Sequence, residues 1–231
     1  MKNKITNIMN TFSPLFHKMN DKKRLEKYLN LIDDILNSNY SDAQKFNGIL
    51  HVQKQLTNMI QVKINDLIIQ EEYKEFPEPK YSVGDSLTSF WTTNYFYLKS
   101  VETYSLNIYP FISIPWHKKR FLDCWIKIGL MIDKPFIENN NHYATLYFPI
   151  NVIEFHNGLH SGTIAIAEGN SKIQIQKVID ISNIYEHNYF DGKHFINKYS
   201  KRKLCTPDFP EIGILFEIGR KLLNSNFLID P

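Results

Sequence analysis

The stretch that most restricts how this chain can fold runs from Pro149 to Ile181, PINVIEFHNGLHSGTIAIAEGNSKIQIQKVIDI, where strand, polar turn, short helix and strand signals follow one another without a gap. Ile150, Val152, Ile153 and Phe155 form a β-branched and aromatic run that reads as a buried strand. His156-Asn157-Gly158-Leu159-His160-Ser161-Gly162 follows, and Asn157-Gly158 marks a turn because both residues tolerate positive φ. Ser161 is placed to cap a helix from Thr163 to Glu168, which Gly169-Asn170 ends. A second strand is expected over Lys172 to Ile181. Two histidines and a serine therefore stand at the mouth of a helix whose unbonded N–H groups and positive dipole end suit an anion.

Around this unit the periodicities predict an α+β protein. Asp21 starts an amphipathic helix on Leu25, Tyr28, Leu29, Ile32, Ile35 and Leu36 that ends at Asn37-Ser38-Asn39. Ser41 caps a longer one, with Phe46, Ile49, Leu50, Leu56, Ile60, Ile64, Leu67 and Ile68 as its stripe to about Tyr73. The two are expected to pack as an αα-hairpin in a helical region over residues 1–76. Pro77 and Pro79 close that region, because the residue before a proline is pushed out of the helical conformation. Residues 1–20 read as a loosely held lead-in or a short helix. Residues 77–231 read as a small mixed-sheet domain. Tyr81 to Ser113 is aromatic and β-branched without clean alternation, which leaves strand and buried helix open. Pro115 is expected to open a helix ending near Gly129, Asp191-Gly192 to turn a hairpin over residues 189–196, and Glu211 to Leu223 to form a last amphipathic helix.

Composition bears on function mainly by exclusion. A formal charge of +3 and a pI near 8.6 lack the strong basic excess of a dedicated nucleic-acid binder. Basic clusters remain at Lys22-Lys23-Arg24, at His117-Lys118-Lys119-Arg120 and at Lys198 with Lys201-Arg202-Lys203. Cys124 and Cys205 stand far apart, which signals neither a disulfide framework nor a structural zinc site. With no bilayer-length apolar run and no leader-type h-region, a cytoplasmic protein without membrane contact is expected, its oligomeric state open.

The chemistry expected of the turn is a phosphate cradle. Gly158, Ser161, Gly162 and Thr163 supply backbone or hydroxyl donors, and Lys118, Lys119 and Arg120 add charge. The basic residues sit in the first turns of their helix, where the dipole disfavours them, which points to a use such as meeting phosphate. His160 is the stabilising donor, with His156 or Glu168 as base if phosphate-directed hydrolysis occurs. A metal held by His156 and His160 is disfavoured, because Asn157-Gly158 breaks the helical spacing. The alternative is that the histidines satisfy local backbone groups and that the helical hairpin and aromatic middle make a non-enzymatic module for a protein or nucleic-acid partner.

The unit resembles the ParB/sulfiredoxin-like group, with Pro149-Ile150-Asn151-Val152 as the proline-led strand and Gly158-Leu159-His160-Ser161 as the group's Gly-x-His-Arg turn. The resemblance covers about this unit alone. It implies a phosphate-binding turn for a nucleoside triphosphate, with Mg²⁺, or for a nucleic-acid backbone, including DNA. Ser161 stands where the group has arginine, so the bidentate clamp must come from another cation, and the group's nuclease and kinase-like activities do not carry over. A second resemblance is to an uncharacterised bacterial family with a Gly-x-His-Ser core and a C-terminal Glu-Ile-Gly-Arg, here Gly158-Leu159-His160-Ser161 and Glu217-Ile218-Gly219-Arg220. It implies no activity.

Overall fold

The computed structural model describes residues 20–70, 94–225 and 227. The lead-in, Pro77 and Pro79, the seam near residue 76 and the first part of the aromatic stretch lie outside those residues. The chain is α+β: two N-terminal helices, a five-stranded mixed sheet, a three-stranded antiparallel sheet and a C-terminal helix.

Helix α1 is Asp21–Leu36, and its N-cap is Asn20, whose side chain accepts the Lys22 N–H at 3.0 Å, so the cap falls one residue before the expected Asp21. Helix α2 is Asp42–Ile69. Ser41 caps it as expected, in a reciprocal capping box with Gln44. The stripe of α2 buries Ile49, Leu56, Ile60, Ile64 and Ile68, and these join Ile112, Tyr147, Ile150 and the apolar face of the last helix in a shared core. Helices and sheet are thus packed by common side chains.

The larger sheet has the order β1-β5-β3-β4-β2, with β1 Asn94–Ser105, β2 Phe111–Ile112, β3 Tyr143–Phe148, β4 Val152–Asn157 and β5 Lys172–Asp180. β3 runs antiparallel to β4 and parallel to β5. Alternation splits the central strands β3 and β4 between two cores. Tyr147 and Val152 face α2, whereas Leu146, Ile153 and Phe155 face a second cluster with Phe111, Phe136, Ala165 and Ile173. Where it is described, the aromatic stretch left open in the sequence forms β1 and β2, joined by a turn over residues 106–110.

Helix α3 is Lys118–Lys127, a shorter helix than Pro115 to Gly129. His117 is its N-cap: its Nδ1 accepts the Arg120 N–H at 3.3 Å. A 3₁₀ turn, Leu130–Ile132, follows. Helix α4 is Leu159–Glu168, α5 is Ile184–His187, and the small sheet comprises β6 Asn188–Phe190, β7 Phe195–Asn197 and β8 Lys203–Cys205. The hairpin expected around Asp191-Gly192 is the β6–β7 pair.

The last helix, α6 (Pro210–Asn224), is buried on most of its surface. Glu211 is 1% exposed and accepts Arg24 of α1 at 2.7 Å and Lys63 of α2 at 2.8 Å, so one carboxylate ties three helices. Glu217 and Arg220 form an internal clamp. Glu217 Oε1 accepts the Phe190 N–H at 2.7 Å and Oε2 accepts Arg220 Nε at 2.6 Å. The Arg220 guanidinium also donates to the carbonyls of Tyr185 and Asn188. The Glu-Ile-Gly-Arg segment is therefore architectural, fixing α6 to residues 185–190.

Candidate functional site

The site forms where α4 begins. Gly158 is the N-cap, at φ +69, so α4 starts at Leu159 and Ser161 is its third residue, not the cap. The first intrahelical bond runs from the Gly162 N–H to the Gly158 carbonyl at 2.8 Å. The amides of Leu159, His160 and Ser161 precede that bond and are the helix's free donors. Gly162 and Thr163 lie inside the helix. Gly162 packs on the Phe155 ring, where an added Cβ would stand 3.1 Å away, and the Thr163 hydroxyl donates to the Leu159 carbonyl at 3.0 Å. The cradle therefore sits one turn earlier than the sequence placed it, because the left-handed glycine itself starts the helix.

Three neighbours fix this first turn. Gln61 of α2 pairs with both backbone groups of Ser113 at 2.8 Å, and the Ser113 hydroxyl donates to the Leu159 carbonyl at 2.7 Å. The His117 N–H donates to His160 Nε2 at 3.1 Å. His142, which the sequence reading passed over in its Asn-rich loop, packs under Gly158. Its Nδ1 accepts the Asn139 N–H at 3.0 Å, so the neutral ring carries its proton on Nε2, which donates to Ser161 Oγ at 2.9 Å. Ser161 Oγ in turn donates to the Gly158 carbonyl at 3.1 Å. The Ser161 hydroxyl is thus spent within the turn and is not activated as a nucleophile.

His160 is built as a neutral donor. With Nε2 accepting from the backbone, its proton sits on Nδ1. Burial, then the charges of Arg120 and His117, push its pKa down to about 4 against the raising effect of the His117 hydrogen bond. Trp116 lies between the two: the His160 ring meets the indole at 5.6 Å between centroids, and the Arg120 guanidinium lies 5.2 Å from the indole centroid.

A groove of about 350 Å³ opens between α3 and α4, lined by Arg120, Asp123, Lys127, Asn141, His160 and Ser161 among others. Cys124 also lines it, but burial and the Asp123 charge raise its thiol pKa, which keeps it protonated. Asp123 pairs with Lys127 at 3.9 Å. The groove thus brings Arg120, the Asp123–Lys127 pair and the His160 ring together with the first turn of α4.

The other expected residues are not brought here. Lys118 and Lys119 do not line the groove, because successive helix positions point in different directions. His156 extends from the face of β4 opposite Phe155, and so opposite α4, with its ring 6.0 Å from that of Tyr143. Glu168 closes the far end of α4, roughly 12 Å along the axis from His160 at 1.5 Å per residue. Its Oε1 accepts the Leu130 N–H at 2.8 Å, so it holds the 3₁₀ turn. Lys127, Asp123, Asn141 and His142 were missed because only the fold brings α3 and the 139–142 loop to the turn.

Among the described residues, no group of three or more His, Cys, Asp and Glu side chains stands close enough to hold a metal ion. A Mg²⁺-bound ligand would find one carboxylate in the groove, Asp123.

No curated protein and no solved structure matches this chain. A family model does, over residues 10–228, nearly the full length and so including both the helical pair and the groove. The chain belongs to the family of unknown function DUF6710.

Proposed function

We propose that the protein binds a phosphate-bearing ligand, a nucleotide or a nucleic-acid backbone phosphate, in the groove between α3 and α4. The observation that carries this reading is that Arg120 and Lys127 line one groove with Gly158, His160 and Ser161, at the end of α4 where the amides of Leu159, His160 and Ser161 are unbonded. Amides and a positive dipole end attract an anion, and an arginine adds the planar fork that matches phosphate. Arg120 reaches the groove from α3 and takes the part that arginine plays in the Gly-x-His-Arg turn of the ParB/sulfiredoxin-like group, to which we liken the strand–turn–helix unit.

Binding rather than hydrolysis is the reading the arrangement favours. His160 is held as a neutral donor, Ser161 is spent within the turn, and His156 and Glu168 point elsewhere. A thermal-shift series with inorganic phosphate and nucleoside mono-, di- and triphosphates, with and without Mg²⁺, tests it. A ligand at 100 times its Kd adds about 2.7 kcal/mol. The expected result is a raised Tm that Arg120→Ala and His160→Ala abolish while keeping a folded protein. No shift with any of these ligands sinks the reading and leaves the turn as architecture in a protein-interaction module.

A further inference from the structure

The outer face of α3 and the turn after it are apolar and exposed. Met131 is 99% exposed, Ile126 71% and Leu130 56%, with Trp125, Ile132 and Leu122 each at least 40%. Side chains so far out of the surface form a projecting tip. Large adjoining apolar groups on a surface mark a contact with another body.

Charge selects the body. Between residues 118 and 134 stand five cations, Lys118, Lys119, Arg120, Lys127 and Lys134, against Asp123 and Asp133. That excess of three sets a net positive charge beside the exposed apolar side chains of this segment. A second copy docked tip to tip would set these cations against each other. An anionic surface complements them, and a soft one accommodates a projecting methionine without needing a matching cavity. Tryptophan and aliphatic side chains flanked by lysines are the composition of interfacial membrane contacts.

We propose that α3 and the Leu130–Ile132 turn dock the protein on an anionic lipid surface, with Ile126, Leu130 and Met131 entering the headgroup boundary and the flanking lysines meeting lipid phosphates. This is surface contact, distinct from spanning: no helix among the described residues is long and apolar enough to cross a membrane. Insofar as the neighbouring groove takes a lipid headgroup phosphate, the inference rests on the phosphate-binding reading; the apolar docking stands without it.

Flotation of the full chain with vesicles of phosphatidylcholine alone and of equimolar phosphatidylcholine and phosphatidylglycerol tests the proposal. The protein is expected to float with the mixed vesicles only, and less at high salt. The double variant Ile126→Asp/Met131→Asp is expected to lower vesicle partitioning by about tenfold or more while keeping the wild-type Tm and nucleotide response. Lys119→Glu/Lys134→Glu, which leaves the apolar tip intact, is expected to weaken flotation as well. Failure to float with the mixed vesicles, or flotation indifferent to both variants, overturns the proposal. So does a wild-type dimer that the Asp variant converts to monomer, which assigns the tip to a second copy. Loss of the nucleotide response in Arg120→Ala with flotation retained separates the two sites, and flotation without any phosphate response refutes only the groove.

Discussion

Substituting Gly158 by alanine perturbs the site through one side chain. At φ +69 an alanine is strained by about 1–2 kcal/mol, because a Cβ crowds the following carbonyl. The larger effect is contact: the added methyl would stand 2.4 Å from His142 Cδ2 and 3.2 Å from the Asn141 carbonyl oxygen. His142 must move, and it then loses the hydrogen bonds to Asn139 and Ser161, each worth about 0.5–1.5 kcal/mol. Gly158→Ala is therefore expected to cost roughly 2–4 kcal/mol, and His142→Ala about 1–2 kcal/mol. In the double variant the overlap with the ring is gone, and only backbone strain and the Asn141 contact are added to the His142 loss. The pair should fall short of additivity by at least about 1 kcal/mol. Urea unfolding of the four proteins reads the cycle. Additivity within about 0.5 kcal/mol, or a near-neutral Gly158→Ala, refutes the claim that the ring of His142 is what excludes a side chain at this position.

Other consequences follow from single groups. Burial alone would raise the Glu211 carboxyl, but Lys63 and Arg24 outweigh it and hold its pKa below the ordinary value; its stabilisation is present above the unfolded pKa and lost as pH falls through the folded one. Stability measured from neutral to acid pH should therefore fall less in Glu211→Gln than in the wild type, and an unchanged slope counts against the three-helix tie. His160 has linkage of the same sign: its folded pKa, about 4, lies below the unfolded value, so the unfolded chain binds the extra proton and stability falls as pH drops from about 6.5 toward 4. Histidine NMR titration should find a ring that stays neutral down to that range, and a midpoint near 6.5 refutes the donor assignment. Gly219→Ala should destabilise by about 2 kcal/mol or more, since its methyl would meet Tyr185 Oη at 2.4 Å and Ile150 Cγ2 at 2.8 Å, and chemical denaturation checks it. Arg220→Lys should cost about 2–3 kcal/mol by the same measurement, because one ammonium cannot serve Glu217 and the Tyr185 and Asn188 carbonyls together.

Local signals were sufficient for the elements themselves. The 3.6-residue stripes of α1, α2 and α6, the Ser41 capping box, the strand runs of β4 and β5 and the Asp191-Gly192 hairpin are written in consecutive residues, because propensity, capping and turn chemistry act over a few positions. The glycine turn before α4 was legible for the same reason, though the helix begins at Leu159, since a left-handed Gly158 can itself open a helix where a serine cap was expected. Tertiary structure decided which of the expected residues meet. The pleat sends His156 and Phe155 to opposite faces, and the length of α4 carries Glu168 away from His160. The packing of α3 on α4 selects Arg120 and Lys127 from a basic run while Lys118 and Lys119 point elsewhere. His142 becomes part of the turn only because the 139–142 loop folds against it, and Glu217–Arg220 becomes an internal clamp only because residues 185–190 close over it. Such juxtapositions depend on side-chain direction and on contacts between residues distant in the chain, which no local pattern encodes.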